Sequence, residues 1–263
     1  MAVCGALSGA PPAAGMRNLK LTISYDGGDF SGWQVQPNRR TVQGEVEAAL
    51  SAIEERPVKI HGSGRTDAGV HALGQVASVE LANRIPLEKL PFAVNYRLPP
   101  AIRVLSAAEV PADFHARHSA IAKTYEYRFW RGQICPPFLR RYVWHMPYPL
   151  DEEAMCRAAP LFEGERDFRS LVTNGGQSME CTVRTIFSST LQREGDHLTY
   201  RVRGSGFLYN MVRNIVGTIL QVGRGNNSVD DIERILEARD RSLAGPTAPA
   251  VGLFLVSVEY PAA

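Results

Sequence analysis

The stretch HGSGRTDAGVHA at positions 61–72 concentrates residue types able to do chemistry. Gly62, Gly64 and Gly69 free the backbone for tight or left-handed turns. Between them stand a guanidinium, Arg65, and a carboxylate, Asp67, two positions apart, so an extended backbone sends both side chains to one side. An arginine that close holds a carboxylate ionised in a partly dry pocket, because its charge opposes the cost of desolvation. An ionised, positioned and poorly solvated aspartate suits covalent or electrostatic catalysis at a sugar carbon. The same pattern also describes a turn carrying a surface ion pair, which contributes little. A phosphate-cradling loop fits less well: the Walker pattern needs Gly-Lys before Ser or Thr, whereas Arg65-Thr66 follows Gly64 here.

The flanking segments must hold this loop in place. RNLKLTISY at 17–25 alternates, with Leu19, Leu21, Ile23 and Tyr25 on one face, the period of a half-buried strand that Asp26-Gly27-Gly28 ends. Trp33, beside a glycine, reads as core or as a ring able to stack on a base, core being the commoner role. Residues 41–55 predict a helix with Thr41 as N-cap and Val42, Val46, Leu50 and Ile53 inward. Short strands are expected at 57–60, 75–81 and 102–110, with a short helix around Leu87, Leu90 and Val94 despite Pro91.

Further along, AIAKTYEYRFWR at 120–131 is a clean alternating strand that puts Tyr125, Tyr127 and Phe129 on one face. Residues 151–162 suggest a helix, and 183–192 with 198–203 a hairpin turning at Glu194-Gly195-Asp196. FLYNMVRNIVGTILQVG at 207–223 is the strongest helical pattern of the chain. Arg213 lies within it, and an arginine in an apolar helix needs a partner unless its head reaches water. Ser228 and Asp231 form a capping pattern for a last helix, and 252–256 reads as the final strand. Six basic residues against one acid between Arg117 and Arg141 are the local sorting a phosphate-tracking surface requires, and equally an ordinary solvated face. His115 and His118 are three apart but have no third ligand nearby, so no metal site is expected.

Composition sets wide limits. The chain has 263 residues, 44% of them hydrophobic, and its 29 basic and 27 acidic residues leave a net charge of +2. Bulk charge therefore argues neither for nor against a nucleic-acid partner. Four dispersed cysteines without a Cys-x-x-Cys pair point to reduced thiols rather than a disulfide framework or zinc knuckle. No apolar run approaches the roughly 20 residues of a membrane helix. Residues 1–16 are Ala-, Gly- and Pro-rich without Lys or Arg, and read as a disordered extension rather than a targeting signal.

GRTDAGVHA at 64–72 resembles the signature of the TruA-type tRNA pseudouridine synthases. Further motifs resemble that family in order along the chain: Asp113-Phe114-His115-Ala116-Arg117, Lys123-x-Tyr125-x-Tyr127, Met211-Val212-Arg213-Asn214-Ile215-Val216-Gly217 and the Gly252–Val256 segment. The resemblance implies that Asp67 is the catalytic residue, that Tyr125 and Leu253 contact the target base, and that Arg213 reaches the catalytic carboxylate across a domain junction. Arg65 joins them as a substrate-binding residue. Interspersed strands and helices without a βαβ rhythm give an α+β class. The resemblance implies two ferredoxin-like, RRM-like domains whose antiparallel sheets join across a central catalytic cleft, with domains at 17–110 and 111–263, usually in a homodimer. It implies a cytoplasmic isomerase that converts uridine to pseudouridine in the tRNA anticodon stem-loop, at the family positions U38, U39 and U40, with no cofactor, no metal and no membrane partner. A non-catalytic RNA-binding protein with an RRM-like sheet is the second reading. A glycosidase-like hydrolase is the third, but it wants a second carboxylate that the sequence does not single out.

Overall fold

The computed structural model describes residues 15–173 and 181–261; the expectation for residues 1–16 falls, except for Gly15 and Met16, outside them. Strands and helices alternate irregularly, an α+β chain. Contacts divide it into two compact units, residues 1–121 with 255–263, and residues 122–254.

In the first unit β1 (Arg17–Tyr25) runs antiparallel between β4 (Ile102–Glu109) and β3 (His71–Leu81), and β2 (Ile60–Gly62) pairs antiparallel with β3. The alternation of β1 is real: Leu19, Leu21 and Ile23 are fully buried. They pack with Val46 and Leu50 of α1 (Val42–Glu54) and with Leu90 and Val94 of α2 (Leu90–Asn95) in one buried core. Thr41 caps α1 as the sequence predicts, its hydroxyl accepting from the Gly44 N–H at 3.3 Å. Two boundaries move. The loop-leading strand is 60–62 rather than 57–60, because its partners are Ala77–Val79. The next strand begins at His71 rather than Gln75, because Ala72 pairs with Tyr25 across an irregularity in β1.

In the second unit the order is β5 (Ala122–Trp130), β9 (His197–Gly204), β8 (Val183–Glu194) and β7 (Gly164–Asp167), each pair antiparallel, with β6 (Trp144–His145) parallel to β5. Tyr125, Tyr127 and Phe129 oppose Val202, Tyr200 and Leu198 on one buried face, so the aromatic stripe read from β5 is a core face. Helix α3 (Glu152–Ala158) gives way near Pro160 to a tight turn ending at Phe162. Helix α4 (Met211–Gly223) starts four residues later than the pattern from Phe207 suggested, because Asn210 is left-handed (φ 58°) and cannot continue a helix. The predicted Ser228–Asp231 pair forms and is reciprocal, closing the turn that leads into α5 (Asp231–Ala238), whose N-cap position is Asp230: Asp231 accepts from the Ser228 N–H at 2.7 Å and Ser228 Oγ accepts from the Asp231 N–H at 3.3 Å. The last strand, β10 (Leu253–Glu259), starts in the second unit, and its residues from Leu255 onward belong to the first.

Candidate active site

The Asp67 loop leaves β2 and returns as β3, and buried polar side chains hold it from below. Ser63 Oγ donates to Gln75 Oε1 at 2.7 Å, and Gln75 Nε2 donates to the Gly64 carbonyl at 3.0 Å. The Tyr25 hydroxyl lies 2.8 Å from Thr66 Oγ1 and accepts from Gln75 Nε2 at 3.5 Å. Ser63 and Gln75 are fully buried and Thr66 nearly so. Each of these groups is satisfied by another, the condition under which a buried polar cluster rigidifies rather than destabilises. Burial pushes the Tyr25 phenol up to about 12, against the opposing hydrogen bonds of Thr66 and Gln75. The phenol therefore stays neutral and serves as a strut.

Backbone contacts fix the loop from the side. The Trp33 N–H donates to the Thr66 carbonyl at 3.0 Å, while Gly32 and Trp33 carbonyls accept from the first residues of α1. This approach is possible only because residue 32 is glycine: φ is +89°, and a Cβ there would sit 2.6 Å from the Thr66 oxygen. Trp33 itself is buried core, which answers the choice its sequence left open. Beyond Asp67 the chain turns sharply. The Val70 N–H donates to the Asp67 carbonyl at 3.1 Å, with Gly69 at φ +79°, the conformation that the third position of a type II turn demands. Asp67 is thus the first residue of a hydrogen-bonded turn and is half-buried, while Arg65 two residues earlier is exposed.

The second unit carries the other candidates. Tyr125, nearly buried on β5, meets the Phe207 ring in a T-shaped contact at a centroid distance of 5.1 Å. Arg213, half-buried on α4, donates from Nε to the Ala248 carbonyl at 2.6 Å and from Nη1 to Asn210 Oδ1 at 3.0 Å. The Ala248 N–H returns a bond to the Arg213 carbonyl at 3.1 Å. Tyr127 donates to the neighbouring Pro249 carbonyl at 2.8 Å. Its phenol is driven far up by burial, and the charge of Arg213 only partly offsets this. Arg213 and Tyr127 together pin residues 248–249, the segment that leads into Leu253, which is itself buried. Of the basic run, Arg128 is held by Glu126 at 2.9 Å and Arg131 by Glu152 at 2.7 Å, so those two cations serve the fold.

Sequence reasoning did not find Tyr25, Ser63, Thr66 and Gln75 as loop supports, nor Phe207 beside Tyr125. A glutamine inside a buried strand was the one local signal available.

A profile described as tRNA pseudouridine synthase matches residues 21–119 and 158–261. Curated relatives named tRNA pseudouridine synthase A include one from Solibacter usitatus, 56% identical over 93% of this chain and 100% of that protein. Others come from Halalkalibacterium halodurans, 48% identical over 90% of each chain, and Caldicellulosiruptor saccharolyticus, 47% identical over 93% of this chain and all of that protein. Among solved structures, an archaeal box H/ACA sRNP Nop10-Cbf5 complex aligns at a TM-score of 0.35 and 15% identity, covering 77% of this chain and 43% of that one. With matches of this identity along almost its whole length, the chain belongs to the tRNA pseudouridine synthase family.

Proposed function

We propose that this protein isomerises uridine to pseudouridine in the anticodon stem-loop of tRNA, at U38, U39 and U40, with Asp67 as the catalytic carboxylate. The observation that carries the reading is the placement of Asp67: a half-buried acid at the head of a tight turn, over a satisfied polar cluster, in a chain of this family.

The reaction breaks the N1–C1′ bond, turns the base, joins C5 to C1′, removes the C5 proton and leaves N1 protonated. Atoms balance without redox change or an added group, so the chemistry falls to acid–base and nucleophilic side chains. Asp67 serves as nucleophile at C1′ or C6, or as the base that starts glycal formation. Tyr125, with its ring set by Phe207, and Leu253 offer the aromatic and apolar surfaces that an extruded base needs. Arg65 and Arg213 meet substrate phosphate or keep the carboxylate charged. Two ferredoxin-like domains, action as a homodimer and a cytoplasmic location belong to the same proposal.

The test is incubation with unmodified tRNA and no added cofactor, followed by nucleotide-by-nucleotide mapping of pseudouridine. Modification confined to the anticodon stem-loop, and its loss in Asp67→Asn with tRNA affinity kept, is the expected result. Wild-type-like turnover by that variant eliminates Asp67. Binding without isomerisation by the wild type leaves the RNA-binding reading. An Arg213→Gln, Asp67→Asn cycle whose losses simply add removes the expected coupling of Arg213 to the acid.

A further inference from the structure

Three imidazoles stand in a row on the first unit. His61 leaves β2 opposite Ser78 of β3. His115 and His118 belong to residues 111–119, which lie over that face of the sheet. Asn18 Nδ2 donates to the Pro111 and Phe114 carbonyls at 2.9 Å, and the Ala116 N–H donates to Ser78 Oγ at 3.2 Å. The Tyr260 hydroxyl donates to the Ala116 carbonyl at 2.7 Å and fixes the segment from its other side. Ring centroids are 5.1 Å apart for His61 and His115, and 4.4 Å apart for His115 and His118. The outer two rings are exposed and the central one is half-buried.

The central ring has a defined tautomer. The Arg117 N–H donates to His115 Nδ1 at 3.1 Å, which leaves the ring proton on Nε2. Partial burial holds His115 below the usual imidazole range, and the charges of His118, His61 and Arg117 push it further the same way. The other charged or titratable side chains on the elements packed here are Lys59 just before β2, Glu80 on β3, Lys20 on β1, Asp113 on the segment, Glu259 at the end of β10 and Tyr260 just after it. Lys59 is engaged by Glu47 at 3.1 Å, and Lys20 lies over the Tyr260 ring at 5.6 Å. Among the described residues no group of three or more His, Cys, Asp and Glu is disposed to hold a metal ion. Tilted imidazoles this close repel once protonated and are instead relieved by an anion, and imidazolium N–H groups are strong donors to one.

We propose that His61, His115 and His118, with Arg117, form an additional phosphate-binding site for the RNA backbone, one that tightens in mild acid. The proposal rests on the tRNA-modifying reading for its ligand. By linkage, protonation of the cluster and binding of a phosphodiester there favour one another by the same factor.

The experiment measures affinity for unmodified tRNA and for poly(U) at pH 8.0 and pH 5.8 over a salt series, in the wild type and in the double variant His61→Gln, His118→Gln. Both substituted side chains are exposed, so folding is expected to survive. The chain has six histidines, and His71, His145 and His197, which lie outside the site and remain in the variant, are its internal control. Wild-type affinity is expected to rise about tenfold at the lower pH, with the salt slope steeper by about 0.7–0.9 for each phosphate gained. The variant is expected to change less than about twofold. Equal pH dependence in both proteins, or none in the wild type, overturns the site. Pseudouridine formation by the wild type at pH 8.0 is scored separately: if it is absent while acid-strengthened poly(U) binding persists and needs the two histidines, the enzymatic reading fails and this site stands.

Discussion

Around Asp67 the supports are polar, buried and largely attached to backbone: a serine, a threonine, a tyrosine and a glutamine bonded to one another, and a tryptophan amide on the Thr66 carbonyl. Around Tyr125 and Arg213 they are a ring edge, a strand face of aromatic side chains, and two carbonyls of a single short segment. The first arrangement tolerates almost no displacement, because moving one member leaves another buried polar group unsatisfied. The second can shift by small amounts, since apolar contacts are non-directional. A side chain that must be held in one place calls for the first kind of support, and one that has only to present a surface can use the second.

Four substitutions and one titration test this contrast, from the largest effect to the smallest. Asp67→Asn keeps the turn and removes the charge; isomerisation is expected to fall about a thousandfold or more, with melting temperature and tRNA affinity nearly unchanged. Gly32→Ala keeps the charge and moves the turn. Its positive φ and the Thr66 oxygen 2.6 Å from the new Cβ are expected to cost about 2–3 kcal/mol of stability in denaturant titrations, and activity falls with the loop. Thr66→Val leaves the Tyr25 hydroxyl only its 3.5 Å bond from Gln75, at a cost of about 1–3 kcal/mol, and kcat is expected to drop roughly 10- to 100-fold with KM little changed. Phe207→Leu removes one ring edge worth about 0.5–1.5 kcal/mol; a several-fold rise in KM with a smaller change in kcat is the expected split. If Phe207→Leu proves as damaging to kcat as Thr66→Val, the contrast between the two supports fails.

The titration concerns Tyr25. Its phenol is raised to about 12 when folded, whereas an unfolded tyrosine ionises near 10. Between those values the folded state holds a proton that the unfolded state has lost, so this contribution is complete below pH 10 and declines as pH rises towards 12. Denaturant midpoints across that window are expected to fall more steeply in the wild type than in Tyr25→Phe.

Much of this was legible in the residues. The alternation of β1 and β5, the Thr41 cap and the Ser228–Asp231 pair are local signals, each readable within a few positions, and the structure carries them. The glycine-rich loop with its acid was equally conspicuous. What holds the loop was not, because its partners are distant in sequence: Tyr25 meets Thr66 across 41 positions and Gln75 across 50. No local window contains both ends of such a contact. The late start of α4 has the opposite cause, a single left-handed Asn210 that the apolar periodicity on either side conceals.

The assignment of Leu255–Glu259 to the first unit affects how the molecule is made. A ribosome has delivered everything from Arg17 to Ile121 long before those residues emerge, and the Ile121 amide waits for the Glu259 carbonyl as its acceptor, 2.9 Å away in the finished protein. Order of synthesis and order of completion are therefore uncoupled. The portion carrying Asp67 is finished only when β10 arrives, so a nascent chain stalled before Leu255 holds that loop without its full scaffold.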